Sequence, residues 1–418
     1  YLERNQIWQS ISHELKYFDP ADYVRLKPLI LEKSIPEIQK AIATGDLTYE
    51  QLTLWYLYRI VHTESDRDKT LHSIISLNPN AVEEARKRDQ SSSKDVHPIY
   101  GMPVLLKDNI NASGMPTTAG ALALRNNWVE DAFITNQLKQ KGAIILGKAN
   151  LSEWAYFFCG GCPVGYSAVG GQTLNPYGRR QFESGGSSSG SGTTMAANYA
   201  AAAVGTETSG SILSPSSQNS IVGLKPTIGR LSRSGIVPIS STLDTPGPMT
   251  RSVIDNAIML DALSGYDQTD DAMSSELKFA IDLNRIEDST LEGKRLGALS
   301  NFLERDSIYA LTVEKLRSYG AEIVVVDPVD ISLEGFRSIL NIDMKNDLPK
   351  YLENAGDSVL VRGVKDVLDF NLEDSLSRMP YGQIRLAGTL TDTTSTEELK
   401  SIIANTQKEG RRFFDTHM

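Results

Sequence analysis

The pattern of apolar and polar positions changes near residue 100 of this chain. Before that point the apolar residues mostly follow helical spacing, and Thr48 with Gln51 forms a capping box in front of an apolar-rich run at 52–61. A capping box indicates a helix start, because the two side chains satisfy backbone groups of the first turn. The first part of the chain is therefore predicted to be mainly helical.

From residue 100 onward, short continuous apolar runs alternate with helical stretches. The predicted elements are a strand at 103–106, a helix at 134–141 ended by Gly142, a strand at 143–146, a helix at 311–319 ended by Gly320, and a strand at 323–326. Strands that are apolar without alternation are typical of sheets buried on both faces. We therefore predict an α/β fold, with a large mixed, mainly parallel β-sheet covered by helices on both faces.

A length of 418 residues leaves two or three domains open as well as one large unit. We predict a single domain over 1–418. It would comprise a helical N-terminal part at 1–95, a core at 96–270 and a more helical later part at 271–418. The predicted seam between the last two is 275–292.

Composition excludes several classes of partner. Lys and Arg number 42 against 52 Asp and Glu, giving a formal charge of −10, and no basic cluster offers a footprint for nucleic acid. No apolar run approaches the ~18 residues that span a bilayer, so we expect a soluble protein without a membrane partner. The chain begins at Tyr1, which leaves a removed leader and an internal start both open. Compartment and oligomeric state stay open too.

The cysteines do not indicate a metal or redox site. Cys159 and Cys162 are the only thiols, no His lies near them in the sequence, and a structural zinc would need two further ligands. Gly160 and Gly161 between them and Pro163 after them indicate a loop, not the helix start of a thioredoxin-like motif. We expect structural thiols or a local disulfide, no metal and no cofactor.

Consecutive Gly and Ser residues occupy 184–192. In isolation such a run indicates a flexible linker, but a predicted helix at 194–199 and a strand at 201–204 follow at once. A phosphate-binding loop is the other interpretation, and it lacks both the Gly-Lys-Ser/Thr ending and a spaced glycine pattern. Neither interpretation accounts for the run.

A predicted second turn at 205–212 presents Ser211, because Gly210 permits a tight turn. Acyl transfer requires such a nucleophilic oxygen beside backbone donors, although serines in Gly-rich turns more often only bond locally. No His lies in a recognisable partner motif for a base. Lys107, at the end of the strand at 103–106, either extends towards solvent, the commoner arrangement, or is desolvated with a lowered pKa. A relay of Lys107, Ser187 and Ser211 is one hypothesis among several.

Ordered sequence blocks between residues 98 and 265 resemble those of the amidase signature family. They lie at 101–109, 146–154, 171–176, 185–192, 205–212, 223–230 and 243–249. The resemblance implies the amidase signature fold and a Ser–cis-Ser–Lys triad. In that triad Ser211 matches the acylated nucleophile, Ser187 the bridging serine of a cis peptide, and Lys107 the base.

The resemblance also implies substrate contacts. The oxyanion hole would consist of the backbone N–H groups of Thr208, Ser209, Gly210 and Ser211. Gly160 and Gln172 are expected to contact substrate. Two features depart from the family pattern. Ser209 stands where the family usually has Gly or Asp, and family members normally continue beyond a helix like the one ending at Met418, so C-terminal strands are expected to be missing.

The implied chemistry is hydrolysis of an amide through an acyl-enzyme, with release of ammonia. Bacterial peptide amidases, which hydrolyse C-terminal carboxamides of peptides, look nearest within the family. The alternatives are the glutamine-hydrolysing A-type subunit of an amidotransferase and a fatty-acid amide hydrolase-like enzyme. A catalytically silent binding module is the non-enzyme alternative.

Overall fold

The computed structural model describes residues 4–91, 96–274, 281 and 290–417. The chain divides into two compact units, one formed by Tyr1–Ile281 with Asp343–Thr391 and the other by Asp282–Ile342 with Asp392–Met418. Most of the predicted seam at 275–292 lies outside the described residues. The prediction of a single domain stays a prediction.

The N-terminal part is helical, as predicted. Its elements are helices α1 (Arg4–Gln9), α2 (Pro20–Ile30), α3 (Ile35–Ala43), α4 (Tyr49–Glu64) and α5 (Ala81–Gln90), and strand β1 (Ile74–Leu77). The capping box of α4 is present: Thr48 Oγ1 accepts from the Gln51 N–H at 3.1 Å, and Gln51 Oε1 accepts from the Thr48 N–H at 3.1 Å. The sequence pattern thus locates the start of α4 correctly.

A six-stranded sheet forms the centre of the first unit. Its further strands are β2 (Pro103–Lys107), β3 (Ile144–Ala149), β6 (Ala202–Glu207), β7 (Val222–Gly223) and β8 (Thr245–Thr250), in the order β1-β3-β2-β6-β8-β7. Strands β2, β3, β6 and β7 run in one direction, and β1 and β8 run against them. The predicted mixed, mainly parallel α/β architecture is confirmed.

The remaining helices are α6 (Phe133–Gln140), α7 (Ser189–Ala196), α8 (Leu213–Gln218), α9 (Val253–Leu263), α10 (Ser300–Arg305), α11 (Ser307–Ser318), α12 (Phe336–Leu352), α13 (Val364–Leu372), α14 (Ser375–Arg378), α15 (Ile384–Thr391) and α16 (Thr396–His417). Along the chain, α6 to α8 lie between strands of the central sheet, whereas α12 to α16 follow one another without a strand between them. Two small sheets complete the fold, an antiparallel pair β4 (Tyr166–Ser167) and β5 (Gly171–Gln172) and a parallel pair β9 (Arg295–Leu299) and β10 (Glu322–Val326).

The core of the sheet consists of β2, β3 and β6, in which every residue is buried. These three strands are parallel, so their carboxyl ends meet at one edge of the sheet. Lys107 ends β2 and Glu207 ends β6 at that edge. Lys148 pairs with Leu106, and because side chains alternate along a strand, Lys107 and Lys148 point to opposite faces.

Several predicted boundaries are wrong, among them two near the Gly/Ser run. Helix α7 begins at Ser189, inside the Gly/Ser run, instead of at 194, because burial of residues Ser189 to Met195 outweighs the poor helix propensity of Gly and Ser. The predicted turn at 205–212 starts later, since β6 continues to Glu207. Gly205 is a strand residue there: a Cβ atom would lie 2.6 Å from Met249 Sδ and 2.8 Å from Ser188 Oγ.

Candidate active site

Lys107 lies at the end of β2 with a fully buried side chain. Its ammonium group donates to Ser187 Oγ at 2.7 Å, to Thr206 Oγ1 at 2.8 Å and to the Thr206 carbonyl at 3.1 Å. Burial lowers the pKa of Lys107 to about 7, against the opposing charges of Asp244 and Glu207. The alternative of a lysine that extends into solvent is therefore wrong.

Ser187 is held in a tightly packed loop. The peptide bond between Gly186 and Ser187 is cis, the geometry that the family resemblance implies for this serine. Gly185 has φ +65°, and a Cβ atom there would lie 2.6 Å from the Cα atom of Pro215. The Ser187 carbonyl accepts from the Ser152 N–H at 3.0 Å, so neighbouring segments fix the loop on both sides.

The turn that carries Ser211 follows β6. Gly210 has φ +81°, as a tight turn requires, and Ser211 is 8% exposed. The Glu207 carboxylate accepts from the N–H groups of Ile212 at 2.8 Å and Leu213 at 3.0 Å, which holds the start of α8 against the end of β6. The Ser211 carbonyl accepts from the Ser188 N–H at 3.2 Å and joins this turn to the loop of Ser187.

The backbone N–H groups expected to form an oxyanion hole lie in the same turn. Within the described part of the chain, the N–H groups of Ser209, Gly210 and Ser211 donate to no protein acceptor. A side-chain hydrogen bond fixes Thr208: its Oγ1 donates to Asp244 Oδ1 at 2.5 Å. The turn can therefore offer free backbone donors next to a serine hydroxyl, which is what an acyl-transfer site needs.

Sequence reasoning missed three residues of the site. Thr206 accepts from Lys107 and also from Asn109 Nδ2 at 3.0 Å, and Asp244 bonds to the turn. Asn109, Thr206 and Asp244 all lie inside matched blocks, at 101–109, 205–212 and 243–249. Their position in those blocks was the available signal. For Asp244, however, the block at 243–249 carries no sign that it belongs beside the turn of Ser211. The pairing of β8 with β6 brings it there.

The remaining predicted residues are Gln172, in strand β5, and Gly160, in a loop. Gln172 in β5 donates from Nε2 to the carbonyls of Val164 at 2.7 Å and Thr173 at 3.0 Å. Gly160 is exposed, between Cys159 and Cys162, which form a disulfide with Cα atoms 5.8 Å apart. Substrate contact by Gly160 and Gln172 stays a prediction.

The described residues contain neither a candidate metal site nor a candidate membrane-spanning helix. No group of three or more His, Cys, Asp or Glu side chains there could hold a metal ion. Among the same residues no helix combines the length and the apolar character needed to cross a bilayer.

The family model for amidases matches residues 54–414. The chain belongs to the amidase family. It is 39% identical over 360 residues to a probable amidase of Arabidopsis thaliana, covering 82% of this chain and 69% of that protein. It is 36% identical to the A-type subunit of the glutamyl-tRNA(Gln) amidotransferase of Lawsonia intracellularis, over 70% of this chain and 59% of that protein.

A solved structure extends the likeness to three dimensions. The peptide amidase of Stenotrophomonas maltophilia superposes with a TM-score of 0.82 and is 37% identical, covering 89% of this chain and 78% of that one. The amidase fold of the present chain is thus established. The chain spans 59% of the length of the Lawsonia protein. The activity and the substrates of the present protein are therefore proposed, not shown.

Proposed function

We propose that this amidase-family protein hydrolyses amides through an acyl-enzyme on Ser211, with Ser187 as bridging serine and Lys107 as base. The observation that carries the proposal is the 2.7 Å hydrogen bond between Lys107 Nζ and Ser187 Oγ at a fully buried lysine. A lysine with a pKa of about 7 is partly neutral at neutral pH and can accept a proton.

The hydrogen bonds of Lys107 suit a neutral amine, which has two N–H donors and one lone pair. The Thr206 carbonyl can only accept, and Thr206 Oγ1 accepts the second N–H. The lone pair then faces the Ser187 hydroxyl, which can donate to it. This arrangement supports proton movement from Ser187 to Lys107. The proposal adds a transfer from Ser211 to Ser187, whose segments are joined by the bond from the Ser188 N–H to the Ser211 carbonyl at 3.2 Å.

The proposed reaction has two halves. The Ser211 oxygen attacks the amide carbonyl while its proton moves to Ser187 and that of Ser187 to Lys107, and backbone N–H groups at 208–211 bind the oxyanion. The proton then returns along the relay to the leaving nitrogen, the C–N bond breaks and ammonia departs. Water attacks the acyl-enzyme by the same route, releasing the carboxylic acid and restoring Ser211.

The proposed substrates are peptides with a C-terminal carboxamide. The likeness to the Stenotrophomonas peptide amidase over 89% of the chain supports this choice. The second candidate is glutamine hydrolysis as an A-type amidotransferase subunit, which the likeness to the Lawsonia protein favours. A fatty-acid amide hydrolase-like activity and a silent binding module are further outcomes of the test. Neither a cofactor nor a nucleic-acid partner enters the proposal, and the oligomeric state stays open.

The test is ammonia release from peptide amides, free glutamine and long-chain fatty amides. We expect peptide amides to react fastest and Ser211→Ala to lose activity by at least about 10³-fold, since the nucleophile is removed. Ser217→Ala, an exposed serine in α8, is the matched control and should keep full activity. A Ser211→Ala variant that releases ammonia at the wild-type rate contradicts the mechanism. Preference for glutamine would favour the second candidate.

A further inference from the structure

Asp244 lies directly before β8, at the edge of the sheet where β6 ends. Strand β8 pairs with β6 in antiparallel register, with Thr245 opposite Glu207, so Asp244 lies opposite Thr208. Thr208 is the first residue of the turn that leads to Ser211. The sheet therefore places one carboxylate beside the start of that turn, although nothing in the sequence near Ser211 predicts it.

Both oxygens of this carboxylate are used, and each holds a different segment. Asp244 Oδ1 accepts from Thr208 Oγ1 at 2.5 Å. Asp244 Oδ2 accepts from the N–H groups of Ile239 at 2.8 Å and Ser240 at 2.9 Å. The backbone at 239–240 thus holds the Asp244 carboxylate in place. The carboxylate, through the Thr208 hydroxyl, then holds the start of the turn that carries Ser211.

The charge of Asp244 also acts on the proposed base. Of the two carboxylates that favour the ammonium form of Lys107, Asp244 has the larger effect and Glu207 the smaller. Burial raises the pKa of Asp244 to about 6, opposed by Thr208, the backbone N–H groups and the charge of Arg233. At neutral pH Asp244 is therefore mainly ionised.

We infer that Asp244 is a positioning residue for the proposed hydrolysis: through Thr208 it holds the N–H groups at 209–211 where the oxyanion of the tetrahedral intermediate forms. This inference rests on the proposed function. Asp244 touches neither the substrate carbonyl nor the Ser211 oxygen in this role. Its effect should therefore appear in kcat rather than in KM, because the oxyanion exists only in the transition state and intermediate.

The test compares variants that remove the Thr208 hydroxyl, the Asp244 charge or neither of them. Thr208→Val loses the hydrogen bond and should lower kcat by about 10- to 100-fold with little change in KM, as a misplaced oxyanion hole would. Thr208→Ser keeps the hydroxyl and should recover most of that loss. Thr44→Val is the matched control, since its hydroxyl also donates to a carboxylate, that of Asp46 at 2.6 Å, on an exposed turn.

The pH profile separates the charge of Asp244 from its hydrogen bond. Asp244→Asn removes a charge that favours protonated Lys107 and should therefore lower the pKa of Lys107. The acidic limb of the pH profile of kcat/KM should then move to lower pH. The nearby charged side chains of Glu207 and Arg233 are the same in both proteins. Thr208→Val removes no charge and should leave that limb in place. A purely structural role would lower the amount of folded protein, measured by circular dichroism, and would move neither kcat per folded enzyme nor the limb.

The outcomes distinguish the inference from the proposed function. If Thr208→Val and Asp244→Asn keep the wild-type kcat while Ser211→Ala is inactive, the inference is wrong and the proposed function stands. A Thr208→Ser variant as slow as Thr208→Val also contradicts the inference. If the wild-type protein releases no ammonia and a fluorophosphonate does not label Ser211, the proposed function is wrong, and the inference is wrong with it.

Discussion

The ammonium group of Lys107 is subject to two opposing effects. Burial disfavours its charge, whereas Asp244 and Glu207 favour it, and burial is the larger effect. Had either carboxylate formed a direct ion pair with Lys107, the charged form would be stabilised further. The ammonium instead bonds to hydroxyl and carbonyl oxygens only, which leave it able to lose its proton.

The first prediction concerns the pH dependence of amide hydrolysis. The base must be neutral, so kcat/KM should rise with pH through about 7 and level off above it; one pH unit below the pKa only about a tenth of Lys107 is neutral. Lys107→Arg should lose activity at every pH tested, since a guanidinium keeps its proton. A profile that is flat between pH 5 and pH 8 in the wild type would rule out Lys107 as the base.

The second prediction concerns Gly186, which precedes Ser187. A Cβ atom at Gly186 would lie 2.7 Å from Ser152 Oγ and 2.7 Å from Val164 Cγ1, so Gly186→Ala must displace the loop. We expect kcat to fall by about 10-fold or more. Gly410→Ala in α16 is the matched control, because its Cβ atom would meet nothing within 4 Å. Equal activity of the two variants would show that the position of Ser187 is not critical.

At the scale of elements, the sequence predicts those helix and strand boundaries that depend on contacts between residues near each other in the chain. Helix α4 is predicted from Thr48 and Gln51, whose side chains make both bonds of the capping box. The start of α7 and the end of β6 are misplaced, because Gly and Ser carry weak local preferences and burial decides their conformation. Where a glycine is required by close packing instead of a turn, as at Gly205, a sequence pattern cannot tell the two apart.

The third prediction concerns the connection from β6 to α8. Glu207 is 4% exposed and accepts from two N–H groups at the start of α8, which also fixes the turn of Ser211. Glu207→Ala leaves both donors without an acceptor and should lower the free energy of unfolding by about 1–3 kcal/mol. It should also lower kcat, while Glu207→Gln, which keeps an acceptor oxygen, should lose less of both.

Thr48→Ala at the start of α4 serves as the control for that prediction. It removes a helix-capping acceptor away from the site and should cost about 1 kcal/mol of stability without changing kcat. Urea unfolding and ammonia release measure the two quantities. If Glu207→Ala loses stability but keeps kcat, the bonds of Glu207 serve the fold alone.

For the whole molecule, the sheet determines which distant residues meet. Lys107 and Thr206 are 99 residues apart in sequence and bond because β2 and β6 are parallel neighbours. Asp244 joins them only through the register of β8. Sequence alone predicts the relay as one hypothesis among several, and the family resemblance singles it out. A residue whose place in the site depends on strand register, such as Asp244 in the block at 243–249, is missed.

The same sheet edge carries a second buried lysine on the opposite face. Lys148 Nζ lies 3.2 Å from Asp108 Oδ1, and both side chains are fully buried. Lys148 also donates to Thr117 Oγ1 at 2.9 Å, and Asp108 Oδ2 accepts from the Thr118 N–H at 3.2 Å. Asp108 directly follows Lys107, so this ion pair fixes the end of β2 from the side away from Ser187.

The last prediction is that Lys148→Met destabilises the protein strongly. It leaves the Asp108 carboxylate buried without its counter-charge, which should lower the free energy of unfolding by about 3–5 kcal/mol. The double variant Asp108→Asn with Lys148→Met removes both charges and should recover part of the loss. Lys365→Met breaks an ion pair whose side chains are 73% and 58% exposed, and should have little effect. Urea unfolding followed by tryptophan fluorescence measures all three, and a Lys148→Met variant as stable as Lys365→Met would show that Asp108 is neutral in the native protein.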